Sequence, residues 1–384
     1  MNISLLELRR RPGHYAIATA TLTLIAILLI FLGGLLDGLN QSFVGGVSAQ
    51  DADIIVYSSR ADGLFSRSRM TFADRLVVRA IPGVKQVGGI GVTLLGARLP
   101  GRGPRELVDV ALFGYEIAPR GVPAAPPTGE AYADTSLQRR GVTTGMTLHI
   151  GPGRSAVKVI GFVSGTNYLG QGSLWASPRT WRAVQNSNRP DEFVADNVFQ
   201  AFVVRGHQAG VKIAHRAHAD VLAPGSQLTF AIDRATFGRT ASFTVADAAE
   251  KLPGVAQQSG VFNQIIGVTL AIALVVVALF FALLTIERTA LYGVLKATGS
   301  RSRTLFGGLV LQALIVTLVA ALLGGATAFA LDALIPPGTI PFTLTRARLL
   351  NSVASLVTAA VVGCAFSLRR VLRVDPATAI GTER

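Results

Sequence analysis

The chain has 384 residues, half of them apolar and 15% charged, with a formal net charge of +14 and a mean hydropathy of +0.48. Apolar residues gathered into a few long runs at that hydropathy exclude an ordinary water-soluble globule. The basic excess does not point to nucleic acid, because many of the arginines flank apolar runs and form no block interleaved with aromatics.

Residues 1–14 open with the segment ISLLELRRR, in which Leu5, Leu6 and Leu8 are apolar and Arg9, Arg10 and Arg11 follow. Pro12-Gly13 separates this amphipathic pre-helix from the first long apolar run, 15–36. Val47-Ser48-Ala49 has the small residues of a signal-peptide cleavage site. The apolar run, however, is longer than the roughly 7–15 residues of a signal-peptide core and ends well before that site, so it reads as a retained anchor.

Residues 37–261 read as one water-exposed domain. Residues 53–57 (DIIVY) predict a strand, 72–80 a helix, 84–98 a strand region, 197–204 a strand, 208–221 a helix and 228–232 a strand. Residues 119–127 form a proline-rich break, and 147–163 a hairpin turning at Gly151-Pro152-Gly153. The pattern suggests a mixed α/β part made from the first and last thirds, with a β-rich part inserted between them. Thr71 to Asp74 with Pro82-Gly83, and Thr244 to Asp247 with Pro253-Gly254, echo each other as capped helices closed by Pro-Gly.

Three further apolar runs follow at 262–286, 305–331 and 349–368, each long enough to cross the bilayer. Arg288, Lys296, Arg301 and Arg303 lie between the first two of these, and Arg369, Arg370 and Arg373 begin the tail 369–384. The loop 332–348 has only Arg346 and Arg348. The bias of basic residues to the cytoplasm therefore predicts four crossings of the bacterial cell membrane with both termini inside. A thiol at Ser173 is then expected to be reachable from outside and one at Ser302 not. The fold class expected is an α-helical membrane protein with four transmembrane helices and a large α/β extracytoplasmic domain.

Residues 287–304 carry a short helix in which Leu291, Val294, Leu295 and Thr298 share one face while Arg288 and Lys296 lie off it. Such a helix either lies on the lipid surface or docks a soluble partner. In the fourth run Ser355, Ala359, Gly363 and Ser367 recur every four residues and predict close helix packing, as Gly324-Gly325 does in the third. The middles of the runs hold no Asp, Glu, Lys or Arg, which argues against an ion or proton path through the bilayer.

Catalytic chemistry has few candidates. The chain has no G-x-x-x-x-G-K-[ST] phosphate loop, and Gly88-Gly89-Ile90-Gly91 lacks dinucleotide-binding spacing. His215 and His218, one turn apart and near His207, lack the Cys or acidic partners that complete a metal site. The single cysteine, Cys364, excludes an intramolecular disulfide.

The chain resembles the MacB/FtsX-type permeases of ABC transporters, including the DevC and HrtB branches. The resemblance is carried by the arginine-rich 6–11, by Leu252-Pro253-Gly254-Val255, by Glu287-Arg288 through Leu295-Lys296-Ala297-Thr298-Gly299, and by 374–379 (VDPATA). Gly141 to Ile150 is similar to a strand turn of that family, with Met146 where an aspartate is usual. The resemblance implies a homodimer embedded in membrane lipid and bound to a separate ABC ATPase subunit. ATP and Mg would belong to that partner, leaving this chain without a cofactor or catalytic residues. It also implies that Glu287, Arg288, Leu291, Val294, Leu295 and Lys296 form the coupling helix, and that the outer domain combines a porter-like α/β part with an inserted sabre-like β part. Movement of that domain on ATP hydrolysis, termed mechanotransmission, would export a lipophilic or amphiphilic molecule. The alternatives are a signalling module that activates a cell-wall hydrolase and a permease that handles lipoproteins.

Overall fold

The structure is a computed structural model that describes residues 12–101, 103, 106–206, 224–286, 302–334 and 341–371. The elements, in chain order, are α1 (Pro12–Ser48), β1 (Ile54–Ser58), α2 (Phe72–Arg79), β2 (Val84–Arg98), β3 (Leu107–Tyr115), β4 (Glu130–Asp134) and α3 (Thr135–Arg139). Next come β5 (Thr147–Ile150), β6 (Ser155–Val163), β7 (Gly172–Ala176), α4 (Pro178–Asn188), β8 (Ala201–Gly206), α5 (Pro224–Ala235), β9 (Thr240–Thr244) and α6 (Val245–Glu250). The last three helices are α7 (Val255–Ile286), α8 (Ser302–Leu334) and α9 (Arg346–Val371). The chain divides into two compact units, Leu39–Gln258 and the remainder, and both boundaries fall inside a continuous helix, α1 and α7.

In the unit Leu39–Gln258, nine strands hydrogen-bond in the order β3-β7-β4-β6-β5-β2-β8-β1-β9, and β3 also pairs with β2. That extra pairing closes β2, β3, β7, β4, β6 and β5 into a six-stranded ring, with β8, β1 and β9 as a sheet extending from it. The fifteen residues of β2 serve both parts: Val84 to Ile90 pair with β8, and Ile90 to Arg98 pair with β3. The ring is thus the inserted β-rich part, joined to the α/β part by one shared strand.

Alternation along the strands sorts side chains between cores. Ile55 and Tyr57 pack with Phe65, Phe113, Tyr168 and Trp175 on one face of the extension, while Ile54 and Val56 pack with Phe199, Phe202, Leu228 and Ile232 on the other. Ala97, Val110, Leu148, Val157 and Leu174 fill the ring. Burial holds the Tyr57 phenol well above its ordinary pKa.

Gly91 and Gly114 face each other across β2 and β3, and a Cβ on either would collide with Trp181 of α4. The indole therefore lies directly on the strand backbone, and its Nε1 donates to Thr93 Oγ1 at 2.9 Å. This packing accounts for part of the glycine-rich stretch 88–91. Helix α2 begins with a full capping box between Thr71 and Asp74, and Thr244 caps α6 by accepting from Asp247 N at 3.2 Å.

Three sequence expectations are corrected. Residues 228–232 belong to helix α5 and not to a strand; Leu228 and Ile232, four apart, both turn to the core, so the LTFAI composition misled. The strand expected at 197–204 is β8 at Ala201–Gly206, because Asn197 takes a left-handed φ of 64° that breaks an extended run. Ser173 is fully buried in β7, so it does not suit a labelling site. The helix expected at 208–221, with His207, His215 and His218, lies outside the described residues.

Candidate functional site in the membrane helices

Four helices are long and apolar enough to cross a membrane, over Tyr15–Ser48, Val255–Leu283, Val310–Leu334 and Arg346–Ala365. In the unit formed by the chain ends, each turns one apolar stripe inward. Ala18, Leu22, Ala26 and Leu29 of α1 meet Ala273, Val277 and Phe281 of α7, Val316 and Ala320 of α8, and Leu356, Ala360 and Cys364 of α9. The opposite faces are apolar too, with Leu24, Ile272, Leu279, Leu322, Phe329 and Leu350 exposed. Helices apolar all round suit a hydrocarbon solvent, where the backbone must satisfy its own hydrogen bonds.

Small residues set where the helices approach most closely. A Cβ on Gly324 would lie 2.8 Å from Ala26 Cβ, so α8 rests against α1 there. A Cβ on Gly363 would lie 2.9 Å from Leu274 O and 3.2 Å from Ala278 N, so α9 rests on the backbone of α7. Ser355 is half-buried and Ala359 buried, and together with Leu270, Ala271 and Leu274 they line an open groove between the same two helices. Nothing is described of the Ser367 side chain. Inside the bundle the Tyr15 hydroxyl donates to Gln312 Oε1 at 3.2 Å.

At one end of this unit, the segment before α9 lies across α1. Gly38 is in contact with the Pro341 carbonyl, Gly34 with the Phe342 ring, and Thr343 N donates to Gly34 O at 3.1 Å. Arg348 grips Asp37 with two nitrogens, Nε to Oδ2 at 3.0 Å and Nη2 to Oδ1, and Thr345 Oγ1 also reaches Asp37. Both partners lie just beyond the apolar runs read from sequence. Neither drew attention as a site residue, since only the fold brings them together across 311 positions.

The six residues assigned to the coupling helix, Glu287, Arg288, Leu291, Val294, Leu295 and Lys296, lie outside the described residues. Among the described residues no group of three or more His, Cys, Asp or Glu is placed to hold a metal. In the unit Leu39–Gln258, Gly141 and Gly145 take φ of 93° and 85°, a conformation L side chains rarely adopt, which gives the strand turn before β5 a physical need for both glycines.

Residues 263–376 match the FtsX-like permease C-terminal domain, a segment that takes in α8, α9 and all but the first two turns of α7. A Staphylococcus haemolyticus protein that carries the name hemin transport system permease protein HrtB is 33% identical over 110 residues, 29% of this chain and 31% of that one. An uncharacterized ABC transporter permease of Mycobacterium tuberculosis is 25% identical over 387 residues, 98% of either chain. Among solved structures, the periplasmic region of MacB from Actinobacillus actinomycetemcomitans aligns with a TM-score of 0.34 at 9% identity, covering 54% of this chain and 95% of that one. The last three apolar helices thus carry an FtsX-like permease C-terminal domain, and the chain as a whole is similar to an ABC transporter permease along its full length.

Proposed function

We propose that this permease works as a homodimer on which two copies of a separate ATPase drive movement of the outer unit, exporting a lipophilic or amphiphilic molecule. The observation that carries the reading is the FtsX-like match, which spans the basic turn 287–304 together with the helices on either side of it. In this arrangement Leu291, Val294 and Leu295 enter a groove on the ATPase while Glu287, Arg288 and Lys296 make rim contacts. The turn faces the cytoplasm with both termini, in keeping with the positive-inside bias. ATP and Mg stay with the partner.

Export without a polar tunnel through the bilayer is supported by spans whose middles lack charged residues. Mechanical coupling is supported by α1 and α7, each of which contributes residues to both units without a break in the helix. An amphiphilic cargo agrees with the name of the staphylococcal relatives, since hemin is an apolar ring bearing carboxylates.

The test is the double substitution Leu291→Asp and Leu295→Asp, with co-purification of the partner ABC ATPase and permease-stimulated ATP turnover as readouts. Truncating a buried apolar anchor costs about 2 kcal/mol or more, so binding should weaken roughly thirtyfold and stimulation be lost. Wild-type levels of both would reduce the turn to a lipid-surface element and remove the mechanical basis of the reading.

A further inference from the structure

The outer face of the six-stranded ring carries a basic cavity that the permease family assignment does not use. Ala97, Leu99, Val108, Leu148 and Ile150 point into the ring, so the alternate residues Arg98, Leu107 and His149 point out. Register aligns these three in one row across β5, β2 and β3: Arg98 stands opposite His149 on one side and Leu107 on the other. Next along β2, Gly96 has no side chain, which leaves a hollow of about 530 Å³ beside the row. Pro152 and Arg154 of the β5–β6 turn form its further wall.

The turn is held in place. Gly151 N donates to Gly96 O at 2.8 Å, Gly153 N to Asn188 Oδ1 at 2.7 Å, and Asn188 Nδ2 to Val184 O at 2.8 Å. The hollow is therefore formed before any ligand arrives, which lowers the ordering cost of binding. Its volume falls in the usual range for small-molecule sites, about 300–1,000 Å³. Among the described residues that line it, two are arginines, one is a histidine and none is acidic. Asp109, opposite Gly96 in register, is the acid beside it on β3, and the lining keeps a net positive charge.

We propose that this cavity binds the phosphate or carboxylate head of an amphiphile. Arg98 and Arg154 converge on the oxyanion with the planar donor forks that suit it, and His149 adds a ring nitrogen. Leu107 and Pro152 cover the first carbons of the apolar chain. Arginines alone would suit any anion; the apolar wall beside them selects one attached to a chain. This inference rests on the amphiphile reading of the cargo, but its test needs neither ATPase nor nucleotide. A failure here leaves the coupling reading standing, and a failure of coupling leaves this site standing.

The experiment is calorimetric titration of the full chain in neutral phosphatidylcholine nanodiscs, with empty discs subtracted. The probes are octyl phosphate, inorganic phosphate and octyl glucoside. Octyl phosphate should saturate one site per chain, with the other two at least tenfold weaker. Arg98→Gln and Arg154→Gln should each weaken octyl phosphate at least tenfold, while Arg60→Gln, on an exposed arginine elsewhere in the unit, should not. Leu107→Asn should weaken octyl phosphate and leave inorganic phosphate unchanged. Because Arg154 is exposed in a turn, its substitution keeps the test valid even if Arg98→Gln impairs folding. Wild-type affinity in the Arg154 variant overturns the proposal. Equal affinity for inorganic phosphate overturns the amphiphile assignment, and equal affinity for octyl glucoside overturns the anionic one.

Discussion

Replacing Gly363 by leucine probes the closest approach of α9 to α7. The obstacle is backbone: the nearest atoms to a new Cβ are Leu274 O at 2.9 Å and Ala278 N at 3.2 Å, and neither can rotate away as a side chain can. Moving the first contact out to the 3.4 Å of ordinary packing separates the helices by about 0.5 Å, a gap that forfeits about a quarter of each dispersion contact nearby. Together with the misfit of the added side chain, overpacking of this kind costs about 1–3 kcal/mol in soluble cores. The comparison variant is Gly267→Leu on α7, where a Cβ meets nothing within 4 Å. Both variants gain helix propensity of up to about 1 kcal/mol, which cancels in the difference between them. Thermal unfolding of the purified chain in a neutral detergent should show the Gly363 variant melting well below the Gly267 variant. Coincident melting would mean that α9 does not rest on α7 at this point, and the packing described here would be wrong.

The Asp37–Arg348 clasp, with side chains only 23% and 25% exposed, should lose about 1–3 kcal/mol when either partner alone becomes neutral. The combined Asp37→Asn and Arg348→Gln variant should recover part of that loss; purely additive melting shifts would show that the two charges do not act on each other. For topology, a cysteine at exposed Ala124 in whole cells should react with an impermeant thiol reagent and one at Ser302 should not, and the reverse pattern would turn the chain over.

The parts legible in the sequence are those set by short stretches of chain. A run of about 20 apolar residues makes a spanning helix wherever it occurs, so the four helices could be read directly. Val84–Arg98, the capping box at Thr71 and the hairpin around Gly151 could be read in the same way, since strand composition, caps and turn residues are local signals. The helix containing Leu228 and Ile232 could not, because five apolar and β-branched residues fit either period until the core shows which face is buried. The small residues Ser355, Ala359 and Gly363 could be listed, but only the fold assigns Gly363 to the backbone of α7 and leaves Ser355 on an open groove. Tertiary structure alone decided the closure of the ring, the pairing of Asp37 with Arg348, and the meeting of Arg98, His149 and Arg154 around one hollow. Each depends on strand register or on a contact between residues remote in the chain. Such contacts follow from how the whole core packs, and no window of sequence contains them.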